Sequence, residues 1–138
     1  MIETGEVLVL DIDGTLCPSK QPGEPYADLV PDERMLARVR EYRAAGWHVI
    51  LQTSRQMRTY EGNVGAIAAN MLPVLFAWLA RWEIPYDEVH IGKPWPGHDG
   101  FYVDDRTIRP AEFLALDADG VRERLAADAV CDRPADPA

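Results

Sequence analysis

The sequence predicts an α/β fold with a mainly parallel sheet, and three observations support this prediction. Four short apolar runs have the length and composition of strands: residues 7–10, 47–52, 88–91 and 100–103. Segments with apolar residues at helical spacing separate these runs. The runs end in polar side chains, and strands that alternate with helices form parallel sheets covered on both faces, with ligands beyond the carboxyl ends of the strands.

The first strand and the residues just after it form the stretch VLVLDIDGT, residues 7–15. Asp11 and Asp13 are two residues apart, so in extended backbone both side chains leave the same face, while Ile12 points into the packing. Two carboxylates held this close favour a divalent cation with oxygen ligands, for which Mg²⁺ is the usual choice beside a phosphate. Gly14 allows the sharp exit that the strand tip requires. A hairpin with an Asp-Gly turn is the alternative at this stretch.

A loop and a helix come before the second strand. Residues 16–30 are rich in Pro, Gly and charge, which predicts a loop that could cover the strand tip. Pro31 is expected in the first turn of a helix that ends at Gly46. The second strand, residues 47–52, is followed by Thr53, Ser54 and Arg55, which repeats the polar strand end found at Asp11.

The middle of the chain is predicted to contain a polar turn and then an apolar helix. Residues 55–70 carry two glycines and several polar groups, which indicates a turn between short helices. Residues 71–82 are almost entirely apolar, and Pro73 is expected in the first turn of their helix, because a helix-interior proline costs about 3 kcal/mol. Exposed apolar surface on this helix could support a homo-oligomer; a fully buried core helix is the alternative.

The third and fourth predicted strands each lead into charged groups. Residues 88–91 run into a stiff Gly- and Pro-rich loop that presents Lys93, and residues 100–103 run into Asp104 and Asp105. Two helices are predicted next, at residues 110–116 and about 121–129. We expect one catalytic domain over residues 1–130 and a disordered tail over residues 131–138.

Composition limits the classes of partner. The 138 residues with 47% hydrophobic content fit one folded domain. A net charge of -9 argues against nucleic acid, because phosphate backbones are bound by clustered Lys and Arg. Cys17 and Cys131 have no metal or redox spacing, no stretch approaches the length of a bilayer span, and no signal peptide is evident. These features predict a cytoplasmic protein without a membrane partner.

The predicted strand ends together supply the parts for metal-assisted phosphoryl transfer. Acidic residues from two strands can hold one Mg²⁺, while the ion and Lys93 neutralise phosphate oxygens. Thr53 can donate a hydrogen bond to such an oxygen. One Asp carboxylate remains free to attack phosphorus, which would form an aspartyl-phosphate.

These motifs resemble the four motifs of the haloacid dehalogenase (HAD) superfamily, and they occur in the same order. The resemblance implies that Asp11 is the nucleophile and Asp13 the general acid and base. It places the hydroxyl of the second motif on Thr53 and the lysine of the third on Lys93. The implied metal ligands are Asp11, the backbone carbonyl of Asp13, Asp104 and Asp105.

A closer resemblance covers most of the chain. The segments QMRTYEGNVGAIAANMLPVLFAWL and IPYDEVHIGKPWPGHDGFYVDDRTIRPAEF look like the capsule biosynthesis phosphatase group of this superfamily. The resemblance implies a Rossmann-like three-layer α/β/α sandwich without a cap domain, acting on a small phosphate monoester such as a sugar phosphate. The residues expected to bind substrate are Gly14, Thr53, Ser54, Arg55, Arg58 and Lys93.

Several alternatives stay open. A receiver domain of signalling shares the acidic Mg²⁺ site, but its phosphoacceptor follows the third strand, where this chain has Gly92 and Lys93. An inactive HAD-like module that only binds phosphate is the other non-enzymatic alternative. A phosphomutase would need a cap, for which neither residues 16–30 nor residues 53–93 are long enough. Ser54 could replace Thr53 at the phosphate, and Arg55 and Arg58 could be surface charges.

Overall fold

The computed structural model describes residues 5–128 and has a three-stranded parallel sheet in the order β1-β2-β3. This confirms an α/β protein with parallel strands, while helical cover on both faces of the sheet stays a prediction. The strands are β1 (Val7–Asp11), β2 (His48–Gln52) and β3 (Glu88–His90). The helices are α1 (Glu33–Ala44), α2 (Val64–Arg81), α3 (Pro110–Ala115) and α4 (Ala118–Ala127), with a short 3-10 helix at Tyr26–Asp28.

The described residues form two compact units, one ending at Trp95 and the other beginning at Pro96. The first unit holds the sheet, α1 and α2, and the second holds α3 and α4. The expectation of one catalytic domain over residues 1–130 stays a prediction. The expected tail, residues 131–138, lies outside the described residues.

The register of the sheet brings the carboxyl ends of its strands to one edge. Asp11 pairs with Gln52, and Gln52 pairs with His90, so the residues that follow each strand leave from neighbouring positions. The core beneath them includes Leu51, which is fully buried, and its ladder partner Leu10. This arrangement fixes where the polar strand ends meet.

Helix α1 begins at Glu33, later in the chain than the sequence predicts. Asp32 is its N-cap, and the Asp32 carboxylate accepts hydrogen bonds from the backbone N–H groups of Arg34 and Met35 at 2.9 and 3.0 Å. Pro31 therefore precedes the cap instead of occupying the first turn, because a capping carboxylate satisfies the free N–H groups there. The expected stop is confirmed: Gly46 follows the helix with φ +96°.

Helix α2 corrects two expectations. It begins at Val64, so Pro73 lies inside the helix and not in its first turn. Proline has no backbone N–H, so the carbonyl of Ala69 has no helical hydrogen-bond donor. Pro73 and Ala69 are both at exposed positions, where water can bond to this carbonyl oxygen. The 18 residues of α2 are also long and apolar enough to cross a membrane by length and composition alone, so the prediction that no stretch approaches the length of a bilayer span is wrong. A core helix passes the same test, but α2 buries only five of its 18 residues, among them Ile67, Leu75 and Trp78, so the alternative of a fully buried helix is wrong.

The strand predicted at residues 100–103 is absent, and no strand of the described chain includes these residues. Phe101 and Val103 are 80% and 89% exposed. A Cβ atom at Gly100 would lie 2.1 Å from the carbonyl oxygen of Pro96, so the chain turns tightly before this run. Strand preference reflects packing on a half-buried surface, and an exposed apolar run lacks that surface.

Candidate active site

The tip of β1 is a tight turn built around the carbonyl of Ile12, which is fully buried. This carbonyl accepts a hydrogen bond from the backbone N–H of Leu16 at 2.8 Å, and the N–H of Gly14 donates to the carbonyl of Cys17 at 2.8 Å. Gly14 has φ +81°, in the left-handed region that favours glycine. The turn holds Asp11 and Asp13 on either side of Ile12.

Asp11 lies against a lysine and a hydroxyl. The ammonium of Lys93 is 3.3 Å from Oδ1 of Asp11, although the two residues are 82 positions apart in the chain. The hydroxyl of Thr15 donates to Oδ2 of Asp11 at 3.3 Å. The Lys93 side chain is 16% exposed and that of Asp11 is 29% exposed, so both groups remain open to a small ligand.

Thr53 connects the ends of β2 and β3. Its backbone N–H donates to the carbonyl of His90 at 3.0 Å, and its carbonyl accepts from the N–H of Lys93 at 3.2 Å. These bonds place Lys93 beside the tip of β1. Thr53 is only 1% exposed, and its hydroxyl accepts a hydrogen bond from the backbone N–H of Arg55 at 3.0 Å. The hydroxyl proton is still available for donation to another oxygen.

Asp13 is engaged by Arg55 and not by a second carboxylate. Nε of Arg55 donates to Oδ2 of Asp13 at 2.8 Å, and a terminal nitrogen donates to Oδ1 at 3.0 Å. The Arg55 side chain is 1% exposed and that of Asp13 is 25% exposed. The sequence does not predict this ion pair, because an arginine after a strand gives no sign that its charge will be buried. The contact of Thr15 with Asp11 was also missed, although Thr15 closes the DIDGT motif.

Two titratable groups beside this ion pair are shifted by burial. Desolvation and the nearby Asp13 raise the pKa of the Cys17 thiol to about 12, against the opposing effect of Arg55. Burial and Asp13 likewise raise the pKa of Tyr26. Neither group is therefore ionised near neutral pH, and neither is placed to act as a nucleophile.

Among the other residues expected to bind substrate, Arg58 has the most informative position. It is exposed on the turn between β2 and α2, and its guanidinium carbon lies 5.7 Å from the centroid of the Trp95 ring. Trp95 is 40% exposed and follows Lys93 by two residues. Ser54, beside Thr53, is half-buried. Substrate binding by Gly14, Ser54, Arg55 and Arg58 stays a prediction.

The acidic pair Asp104 and Asp105 lies in the second unit, within an exposed stretch. The backbone N–H of Arg106 donates to Oδ1 of Asp104 at 2.9 Å and is the main cause that lowers the pKa of Asp104. Across residues 5–128 no group of three or more His, Cys, Asp or Glu side chains could hold a metal ion. The convergence of these aspartates with Asp11 stays a prediction.

Comparison with solved structures identifies a relative that covers most of the chain. A crystal structure of a protein from Vibrio cholerae is 39% identical, covers 91% of this chain and 100% of its own, and superposes with a TM-score of 0.86. The chain belongs to the same family as this Vibrio cholerae protein. With 91% of the chain covered, the similarity reaches into both compact units.

A second solved structure is more distant. It is the D,D-heptose 1.7-bisphosphate phosphatase of B. bronchiseptica, complexed with magnesium and phosphate. It is 17% identical, covers 69% of this chain and 54% of its own, and has a TM-score of 0.45. Similarity at this level says nothing about the chemistry of the present chain. Neither a protein family model nor a curated protein sequence matches the chain.

Proposed function

We propose that the protein is a Mg²⁺-dependent phosphatase of the HAD type, which hydrolyses a small phosphate monoester through an aspartyl-phosphate. The observation that carries this proposal is the contact between Lys93 and Asp11 at 3.3 Å, at the carboxyl edge of a parallel sheet. A carboxylate beside an ammonium and a buried hydroxyl is suited to phosphate chemistry, because the cation offsets the repulsion between the anionic nucleophile and the phosphate.

Asp11 is the proposed nucleophile. Its carboxylate oxygen would attack phosphorus as the bond to the leaving alcohol breaks, so the phosphoryl group moves to Asp11. Lys93 would neutralise a phosphate oxygen during this step, and the hydroxyl of Thr53 would donate to another. Water then attacks the aspartyl-phosphate, which releases inorganic phosphate and restores Asp11.

Asp13 is the proposed general acid and base. It would give a proton to the leaving alcohol and later take one from the attacking water. Both Asp13 oxygens accept hydrogen bonds from Arg55, which fixes the plane of the carboxylate that would exchange these protons.

The available donors fit Mg²⁺ by chemical type. In the first unit, the carboxylate of Asp11 and the backbone carbonyl of Asp13 are oxygen donors of the kind this ion prefers. Asp104 and Asp105 would supply the remaining protein ligands. When bound, Mg²⁺ would neutralise phosphate oxygens and so reduce the charge that Asp11 must approach.

The proposed substrate is a sugar phosphate or a sugar-linked phosphate, as the resemblance to the capsule biosynthesis phosphatase group implies. Arg58 and Trp95 present a cation and an exposed aromatic face next to the loop that carries Lys93, which supports a ligand extending beyond its phosphate. We further propose a cytoplasmic enzyme without nucleic-acid or membrane partners, with a homo-oligomer as an open possibility. An inactive phosphate-binding module remains the alternative.

A screen of phosphate monoesters tests the proposal. Purified protein is incubated with sugar phosphates, an alkyl phosphate and an aryl phosphate, with Mg²⁺ or with EDTA, and released phosphate is measured. We expect Mg²⁺-dependent release that is lost in Asp11→Asn. Tight binding of phosphate without any release would favour the inactive module, and equal release by Asp11→Asn would exclude Asp11 as the nucleophile.

A further inference from the structure

Arg55 forms the most deeply buried ion pair described in this chain, and it has a well-defined geometry. Two different nitrogens of its guanidinium donate to the two oxygens of Asp13, at 2.8 and 3.0 Å. A bidentate bridge of this kind fixes the plane of the carboxylate as well as its distance. Removing a charged group from water is costly unless it is paired, so the pair indicates a defined role for the Arg55 charge.

Three elements hold Arg55 itself in place. Its backbone N–H donates to the hydroxyl of Thr53 at the end of β2. The ring of Tyr26, in the 3-10 helix, lies with its centroid 4.3 Å from the guanidinium carbon, and the ring of Trp78 in α2 lies at 5.8 Å. Aromatic faces attract a cation and limit its movement.

The loop that carries Tyr26 is also fixed. The indole N–H of Trp78 donates to the carbonyl of Leu29 at 2.6 Å, and this bond is buried. Leu16 and Leu29, at the two ends of the loop, are 0% and 4% exposed. The loop predicted to cover the strand tip is therefore anchored, and it keeps an aromatic ring on Arg55.

We propose that Arg55 is a positioning residue for the reaction: it orients the carboxylate of Asp13 relative to Asp11, and Tyr26 in turn orients Arg55. This inference rests on the proposed phosphatase function. We therefore give Arg55 a positioning role and not the predicted direct contact with substrate, because its side chain is almost wholly buried and its charge is already paired. A misoriented Asp13 would still be present but would transfer protons less efficiently.

The first test uses Arg55→Lys and compares kcat/KM on an alkyl phosphate and an aryl phosphate, because kcat/KM reports the step that releases the alcohol; kcat and KM are also determined separately. Lysine keeps the charge but cannot bridge both oxygens of Asp13. An alkyl leaving group needs a proton more than an aryl one, and general acid catalysis contributes roughly 100-fold or more. We expect kcat/KM to fall about 10- to 100-fold on the alkyl ester and only a few-fold on the aryl ester.

Two matched sets of variants support this test. Arg43→Lys is the control, because Arg43 also binds both oxygens of one carboxylate, that of Asp87, away from the proposed site. It should leave the alkyl-to-aryl ratio unchanged. Tyr26→Leu removes the ring but leaves the ion pair, and we expect it to lower the ratio several-fold. Tyr26→Phe keeps the ring and should restore the ratio, which keeps the inference testable if Arg55→Lys does not fold.

The possible results separate the inference from the function on which it rests. A rise in KM on both esters at unchanged kcat would make Arg55 a substrate ligand and overturn the inference. Equal losses of kcat/KM on both esters, or an unchanged ratio in Tyr26→Leu, would also overturn it while the phosphatase stands. A wild-type protein that releases no phosphate from any ester would overturn the proposed function and this inference with it.

Discussion

At the scale of single residues, the two aspartates of the DIDGT motif have different surroundings. Asp11 contacts Lys93 and Thr15, whereas Asp13 is the counter-charge of a buried guanidinium. Their spacing of two residues in extended backbone predicted that both side chains lie on the same face of the strand. It could not predict that each carboxylate would have its own cation, because those cations come from distant parts of the chain.

This difference predicts that the same substitution affects stability to different extents at the two positions. Asp11→Asn should abolish turnover and change the free energy of unfolding by no more than about 1 kcal/mol, as expected for a partly exposed pair. Asp13→Asn leaves the Arg55 charge buried without a counter-charge, and should cost about 3 kcal/mol. Urea denaturation of both variants measures this, with Glu123→Gln as a surface control. A stability of Asp13→Asn equal to that of Asp11→Asn would contradict the buried ion pair.

At the scale of elements, sequence patterns predicted regular structure well where burial and local preference agree. The parallel strands and the meeting of Asp11, Thr53 and Lys93 at one edge follow from strands that alternate with helices. Residues 100–103 have strand composition but lack a packing surface. The Arg55 and Asp13 pair depends on a loop and a helix that bury the arginine, and no local pattern carries that information.

The interior proline of α2 gives a prediction about stability. Pro73→Ala would allow the missing backbone hydrogen bond to the carbonyl of Ala69 and remove a steric conflict in the helix, so we expect unfolding to cost about 1 to 3 kcal/mol more. Chemical denaturation measures the change. Pro22→Ala is the matched control in an exposed loop, where loss of the proline should be neutral or slightly destabilising. Destabilisation by Pro73→Ala would show that the helix depends on the proline.

The turn between β2 and α2 gives a prediction about specificity. Gly62, with φ +77°, donates its N–H to the carbonyl of Met57 at 3.0 Å, so the turn that presents Arg58 is ordered by its own hydrogen bonds. Arg58→Ala should raise KM for the best sugar phosphate about 10-fold and affect a methyl ester far less. Arg122→Ala is an exposed control in the second unit. Equal losses on both esters would place Arg58 at the phosphate.

At the scale of the whole molecule, ion pairs make folding sensitive to acid. Hydrogen bonds from the Arg43 guanidinium, with another from the N–H of Val49, lower the pKa of Asp87 below its ordinary value. A carboxyl group whose pKa is lower in the folded state stabilises the fold above its unfolded pKa, and this contribution is lost as pH falls through the folded pKa.

The free energy of unfolding should therefore decrease as the pH is lowered below about 4. Asp87→Asn should flatten this dependence, because the variant has no carboxyl group to protonate, and it should also be less stable than the wild type near neutral pH. Glu123→Gln, at an exposed position, should keep the wild-type slope. Denaturation midpoints across the acid range provide the measurement. An unchanged slope in Asp87→Asn would assign the acid sensitivity to other carboxyl groups.

The buried thiol at the tip of β1 makes the opening of this fold observable in solution. Cys17 is 2% exposed and its pKa is raised to about 12, so an alkylating reagent should reach and modify it only during transient unfolding around the site. Cys131→Ser would leave Cys17 as the single thiol of the chain. Its labelling rate should then report how often the site region opens, and a bound phosphate analogue should slow it. Rapid labelling of the native protein would show that this region is already open to solvent.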